Sequence, residues 1–394
     1  MAEHLRHPQG RRSFLTLVAT AGAVLILAGC QAVPREPRPV PGPPTAPTRP
    51  APSPNLPPDE TRNRVAVLVP LSGENAGVGQ SIANAANLAL LDTGGSRIRI
   101  TVYDTAKGGA LAAANDAIAD GNGLFLGPLL AEDARAVAPV ARRAHVPVIA
   151  FSNDSSVAGN GVYLMGFTPS QSIGRAVSYA QGRGLQRFAA LIPPGVYGRR
   201  ASQAMIDAVE RSGGRMIAMQ EYERTPGSMT AAVARLNGQG GYDAVLIADN
   251  GRAAASAATI VRSGGSRGAR ILGTELWSTE SDLTKLPALR GAWFASASDG
   301  LFNQFKVRYR ARYGSSPYRL ASLGYDSVLL AVRIAGQWSI GRAFPDRALL
   351  DPDGFTGVDG AFRFAPNGVA ERALQVQQVD AGKLSVVSPA AKGF

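Results

Sequence analysis

Apolar and polar positions follow two alternating rhythms along this chain. Short continuous apolar runs, such as Val65-Ala66-Val67-Leu68-Val69, read as strands buried on both faces of a parallel sheet. Between them, apolar residues recur every three to four positions, as amphipathic helices require. The pattern predicts strand 65–70, helix 80–91, strand 98–103, helix 109–119, strand 124–126, helix 132–144 and strand 146–151. It resumes with helix 173–181, strand 188–192, helix 201–211, strand 216–222, helix 229–236, strand 244–248, helix 253–262 and strand 271–272. Two successive runs of βα units predict an α/β fold of two doubly wound, Rossmann-like lobes. About 330 residues is a natural size for two domains.

The last third breaks the rhythm. Two consecutive helices are expected at 302–313 and 320–337, then strands at 355–364 and 374–379 as a hairpin pair. The economical reading returns the chain to lobe one for the helices and to lobe two for the strands. Lobe one is then 64–166 plus 297–342, and lobe two is 167–296 plus 343–388, with hinge crossovers between them.

The beginning of the chain has a different texture. Arg6, Arg11 and Arg12 precede an apolar stretch at 14–27 that is too short for a permanent membrane span. Leu27-Ala28-Gly29-Cys30 follows and resembles a bacterial lipobox, which implies a signal peptide at 1–29 and lipidation of Cys30. Arg11-Arg12-Ser13-Phe14-Leu15 resembles a twin-arginine export signal. Gln31 stands where an aspartate would retain an enterobacterial lipoprotein in the inner membrane, so outer-membrane anchoring is the favoured expectation. Residues 31–62 carry twelve of the 27 prolines and little apolar pattern. They lie within an expected tether, 30–63, that cannot bury enough surface to fold. At ~3.1 Å per residue it would span on the order of 100 Å.

Composition narrows the chemistry. Cys30 is the only cysteine, and His145 is the only histidine after the expected signal, with His4 and His7 inside it. Internal disulfides, a zinc cluster and a catalytic thiol are excluded, and His-based nucleophilic catalysis is nearly so. The net charge is +12, falling to about +10 once the signal and its three arginines and Glu3 are removed. Only five of the 41 basic residues are lysine, and the arginines are scattered. For an exported chain this reads as general attraction to anionic surfaces, with no nucleic-acid partner. Gly264-Gly265-Ser266-Arg267-Gly268 has nucleophile-elbow spacing but follows a helix and precedes a strand, so it is read as a loop. No enzyme activity and no cofactor are expected.

Several ordered motifs carry a family resemblance. Val67-Leu68-Val69-Pro70-Leu71-Ser72-Gly73 with Gly79-Gln80, then Phe125-Leu126-Gly127-Pro128-Leu129, then Val146-Pro147-Val148-Ile149-Ala150-Phe151-Ser152, stand in the first half. Tyr197-Gly198, Tyr242-Asp243-Ala244-Val245, Leu272-Gly273-Thr274-Glu275 and Gly354-Phe355-Thr356-Gly357 complete the series. Together they resemble the type I periplasmic binding proteins of the leucine-binding class, over residues 64 to about 387. Ile149-Ala150-Phe151-Ser152-Asn153-Asp154, Tyr163-Leu164-Met165-Gly166-Phe167-Thr168-Pro169 and Leu272-Gly273-Thr274-Glu275-Leu276-Trp277 resemble the penicillin-binding protein activators in particular. That branch is similar to the C-terminal domain of a lipoprotein that stimulates a peptidoglycan synthase. There a helical repeat domain precedes the binding-protein fold, where this chain has its Pro-rich stretch.

The resemblance implies a cleft at the carboxyl ends of the strands, where open parallel sheets bind ligands. Its candidate residues are Ser72, Gly73, Leu129, Ser152, Asn153, Tyr197, Glu275 and Trp277. Amino-acid binders carry Ser and Thr after the strand that ends at Gly127, to hold the ligand carboxylate. This chain has Ala131-Glu132-Asp133-Ala134, and the two acids are expected to cap their own helix. The implied role is regulation of peptidoglycan synthesis with a synthase as partner and a lipid anchor in the membrane. The alternative is the receptor of an amino-acid ABC importer, with a permease as partner and a small-molecule ligand.

Overall fold

The computed structural model describes residues 59–280 and 282–394. The expected signal peptide, Cys30 and the tether up to residue 58 lie outside the described residues.

The apolar runs become strands where they were expected. The first sheet contains β1 (Asn63–Val69), β2 (Ile98–Asp104), β3 (Phe125–Leu126), β4 (Val148–Ala150) and β5 (Val162–Leu164), all parallel, in the order β2-β1-β3-β4-β5. Helices α1 (Ala76–Asp92), α2 (Ala110–Ala119) and α3 (Ala131–Arg143) connect them. Each face of the sheet has its own core: Val65, Val67, Ile82 and Ala86 on one side, Ala66, Leu68, Ala114 and Val137 on the other. Strands buried on both faces need no polar alternation, which is why β1 reads as a continuous apolar run.

The chain then crosses to a second sheet through Met165–Thr168. Helix α4 (Pro169–Gly182) opens with a capping box, in which Gln171 Oε1 accepts the Thr168 N–H at 3.1 Å. Strands β6 (Arg187–Ile192), β7 (Arg215–Glu221), β8 (Ala244–Ile247), β9 (Arg270–Leu272) and β10 (Trp293–Ser296) run in the order β7-β6-β8-β9-β10. Helices α5 (Gly195–Ser212), α6 (Pro226–Gly238) and α7 (Gly251–Ser263) intervene. Both sheets therefore reverse their strand order beside the first strand of the lobe, where doubly wound sheets open a crevice. The lobes share a further device. A Cβ on Gly79 would stand 1.8 Å from the Pro70 carbonyl oxygen, and one on Gly198 1.7 Å from that of Pro193. In each lobe the helix that follows the first strand therefore packs directly on the chain leaving that strand.

Helices α8 (Asp299–Tyr313) and α9 (Ala321–Ala335) return to the first sheet. Phe302, Phe305, Tyr309, Leu323 and Val328 join the core that holds α1. Two expectations for the chain end are corrected. The strands expected as one hairpin pair belong to different sheets. Strand β11 (Phe355–Gly357) pairs with β12 (Gly360–Phe364), which pairs with β13 (Ala370–Arg372), whereas β14 (Gln375–Asp380) pairs antiparallel with β10 and with β15 (Lys383–Ser388). The cause is a turn inside the expected first strand. Asp326 of α9 accepts the Val358 N–H at 2.7 Å and the Asp359 N–H at 3.3 Å, which secures the reversal at 358–359. The second correction follows. Phe344, Leu349, Phe355, Phe362 and Phe364 pack into the first core, so 343–388 is not wholly a lobe-two segment; only β14 and β15 extend the second sheet. The chain thus crosses three times, near Thr168, Ala297 and Ala373.

Candidate functional site

The carboxyl ends of both sheets face one cleft of about 330 Å³. The first lobe supplies Asn75, Val78, Leu129, Leu130, Phe151 and Asn153; the second supplies Ser172, Glu275, Leu276, Ser278 and Thr279. Phe167, Thr168, Ala297 and Leu374 come from the three crossovers, Ala295 from β10, and Arg319 and Leu320 from the turn before α9.

Of the eight candidates, Leu129, Asn153 and Glu275 line the cleft. Tyr197 stands behind Glu275: its hydroxyl donates to Glu275 Oε1 at 3.1 Å and meets the Thr274 hydroxyl at 2.9 Å. The other carboxylate oxygen is bonded by the Ser172 hydroxyl, which also accepts the Glu275 N–H at 3.2 Å. Burial pushes the Glu275 carboxyl up, with the hydrogen bonds from Ser172 and Tyr197 opposing it. Ser72 and Gly73 are exposed and outside the cleft lining. The Ser72 hydroxyl donates to Asp104 Oδ2 at 3.0 Å, and Asp104 also accepts the Leu71 N–H, so that loop is tied to β2. Ser152 is buried, and its hydroxyl accepts the Asp154 N–H within a turn. Trp277 is wholly buried in the second core against Phe294 and is no cleft residue. The strand end Asp249-Asn250 is likewise structural. Arg224 and Tyr222 hold the Asp249 carboxylate, and Asn250 Oδ1 caps α7 by accepting the Ala253 N–H at 2.9 Å.

The acidic pair after Leu130 behaves differently from expectation. Glu132 and Asp133 sit in the first turn of α3, but Leu130 is the N-cap residue and no side chain caps the helix. Their benefit is that of charge near a helix N-terminus. Burial raises the Asp133 carboxyl, and neighbouring Glu132 adds to the rise. His145 leaves α3 with φ 54°, in the left-handed region, which ends the helix.

The residues that pattern reading missed are those brought by the crossovers. Arg319 has no motif around it. Its guanidinium pairs with Asp359 and lies 3.9 Å from the centre of the Phe302 ring. Buried Arg372 lies over Phe167 at 4.5 Å, so a second guanidinium group stacks on an aromatic ring near the crossovers. Next to Asn153, Asp154 pairs with Arg135 of its own lobe and with Arg200 of α5 in the second lobe. Burial opposes ionisation of Asp154, but hydrogen bonds from Ser156 and Arg200 outweigh it and hold the carboxyl below its usual range.

A profile of periplasmic binding proteins matches residues 63–383. The chain belongs to the periplasmic binding protein family. A Rhodospirillum rubrum protein assigned to branched-chain amino acid ABC transport shares this fold, with a TM-score of 0.72 and 21% identity over 83% of this chain and 100% of its own. Full-length LpoA from Haemophilus influenzae is also similar, with a TM-score of 0.65 and 19% identity over 83% of this chain and 59% of its own. At these identities the likeness is one of fold. An uncharacterized protein of Rickettsia prowazekii is 26% identical over 174 residues, 44% of this chain; the match spans about half of that relative's length, 47%. Among the described residues no helix is long and apolar enough to cross a membrane.

Proposed function

We propose that this chain is a non-catalytic, lipid-anchored periplasmic protein that regulates peptidoglycan synthesis as a penicillin-binding protein activator. The observation that carries the reading is the lobe-one wall of the cleft. Leu129 and Leu130 line it, and Ala131-Glu132-Asp133-Ala134, in the first turn of α3, stand where the resemblance puts an amino-acid receptor's carboxylate-binding hydroxyls. A ligand carboxylate there would meet apolar side chains and like charge. The cleft's one lining arginine, Arg319, is already paired with Asp359. An amino-acid receptor is disfavoured on both counts, while the motif resemblance and the fold shared with LpoA support the activator. Cys30 would take the lipid, and the Pro-rich stretch would give the domain reach toward a synthase in another membrane.

Peptidoglycan synthesis in cells lacking the protein tests the reading, complemented by wild type, by Cys30→Ala and by a chain shortened within 31–58. Reduced incorporation of cell-wall precursor and heightened β-lactam sensitivity are expected in the deletion and in both variants. Unchanged incorporation in the deletion strain would overturn the reading. The importer alternative rests on the well-formed cleft of ligand size. A clear rise in melting temperature with millimolar leucine would favour it, since a native-state ligand stabilises by mass action.

A further inference from the structure

The polar groups of the cleft fall into two kinds. Two charged side chains line it, Glu275 and Arg319, and each is committed within the protein. Glu275 has both oxygens bonded, by Tyr197 and Ser172, and its burial favours the neutral form. Arg319 is held by Asp359, whose side chain is fully buried, and by the Phe302 ring. The neutral groups are mostly committed too. Gln171 bridges the Thr168 N–H and the Ala370 carbonyl, Ser296 accepts from Gln377, and the Ser278 and Thr279 hydroxyls donate to carbonyls of their own turn.

Asn75 and Asn153 are the exceptions. Both line the cleft from first-lobe strand-end loops, one after β1 and one after β4. Neither carboxamide makes a hydrogen bond to any described residue; Asn75 precedes α1 without capping it. A carboxamide offers donors and an acceptor but no charge. The rest of the first-lobe wall is apolar, with Leu129 and Phe151 prominent. An ion entering this cleft would shed part of its hydration and find no free counter-charge, and a poorly paired ion is disfavoured for that reason. An uncharged molecule escapes that penalty.

We propose that the cleft takes a small uncharged ligand with an apolar body and an amide or hydroxyl edge, the edge being read by Asn75 and Asn153. This rests on the cleft being a working ligand site in the proposed regulator. It names the ligand's chemical class and leaves the synthase open.

Three probes with one ring and different charge test it: benzamide, benzoate and benzylammonium, each at millimolar concentration with the full chain at pH 7. Benzamide is expected to raise the melting temperature, with the two ions binding at least about tenfold more weakly. The Asn75→Ala, Asn153→Ala double variant should keep the wild-type melting temperature without ligand and lose the benzamide shift. The proposal is overturned if benzoate or benzylammonium matches benzamide, if no probe shifts the transition, or if the shift survives in the double variant. Each of these leaves precursor incorporation in deletion cells untouched, so failure here is distinct from failure of the regulatory reading.

Discussion

The indole N–H of Trp277 donates to the main-chain carbonyl of Asp249 at 2.9 Å, and this bond holds the ring in the second core rather than in the cleft. The ring is fully buried and tilts against Phe294 with centroids 5.7 Å apart. Trp277→Ala should therefore cost about 3–5 kcal/mol of stability, through lost burial and the cavity left behind. It also leaves the Asp249 carbonyl without its donor. Urea unfolding would measure the loss, and Trp277→Phe should recover part of it. A stability within about 0.5 kcal/mol of wild type for the alanine variant would contradict the core assignment.

Glu275 should make stability fall as pH rises. Its folded carboxyl is raised, so the folded state holds the proton at pH values where the unfolded chain has released it. Stability from this group is fully present below the ordinary carboxyl range and is lost as pH rises toward the raised folded value. Gln cannot ionise and keeps an acceptor for one hydroxyl, so Glu275→Gln should melt close to wild type in acid and above it at pH 8. Melting curves of both proteins from pH 4 to 8 decide the matter; parallel curves would refute it.

The Asp154–Arg200 pair joins the first lobe to α5 of the second and should bias the lobes toward closure. A partly exposed ion pair is worth about 0.2–1 kcal/mol, so Arg200→Ala should shift the closed population up to about fivefold. Small-angle scattering should report a larger radius of gyration for the variant. The sign with pH is opposite to that of Glu275. A carboxyl held below its usual range stabilises above the ordinary value and loses that contribution as pH falls through the lower one. Wild type should therefore expand below about pH 4 toward the size of the variant.

Asp326 and Gly357 form another obligatory pair. A Cβ at position 357 would stand 2.2 Å from the Asp326 carboxyl. Gly357→Ala should cost about 1–3 kcal/mol, as overpacking of a filled site does. Burial, and then the charge of neighbouring Asp359, push the Asp326 carboxyl up to about 7. Stability from this group should decline as pH rises from about 4 to about 7. Asp326→Asn should flatten that segment of the melting-temperature profile, at the expense of one of the two N–H bonds that hold the 358–359 turn. A profile as steep as wild type would show that another group is responsible.

What could be read from the chain alone follows from local physics. Continuous apolar runs of four to seven residues and helical periodicity between them specify the βα units, because a strand covered on both faces needs no polar positions. The alternation of those units through residue 272 was sufficient for two doubly wound lobes. That Leu129, Asn153 and Glu275 follow strand ends was legible, because strand ends are placed by strand assignment alone. Tertiary structure decided the rest. Trp277 is five residues beyond a strand end, in a turn whose ring could point either way, and only the Asp249 carbonyl and the Phe294 face send it inward. Ser72 sits at a strand end too, but Asp104 on the adjacent strand binds its hydroxyl. The 358–359 turn was hidden because the acid that secures it, Asp326, lies 32 residues earlier on α9. Arg319 reaches the cleft only because the chain crosses back to the first lobe, and its charge is spent on Asp359 40 residues away. Local pattern records which residues can form an element; which partner neutralises a charge or caps a turn depends on contacts between distant segments, and those exist only in the folded chain.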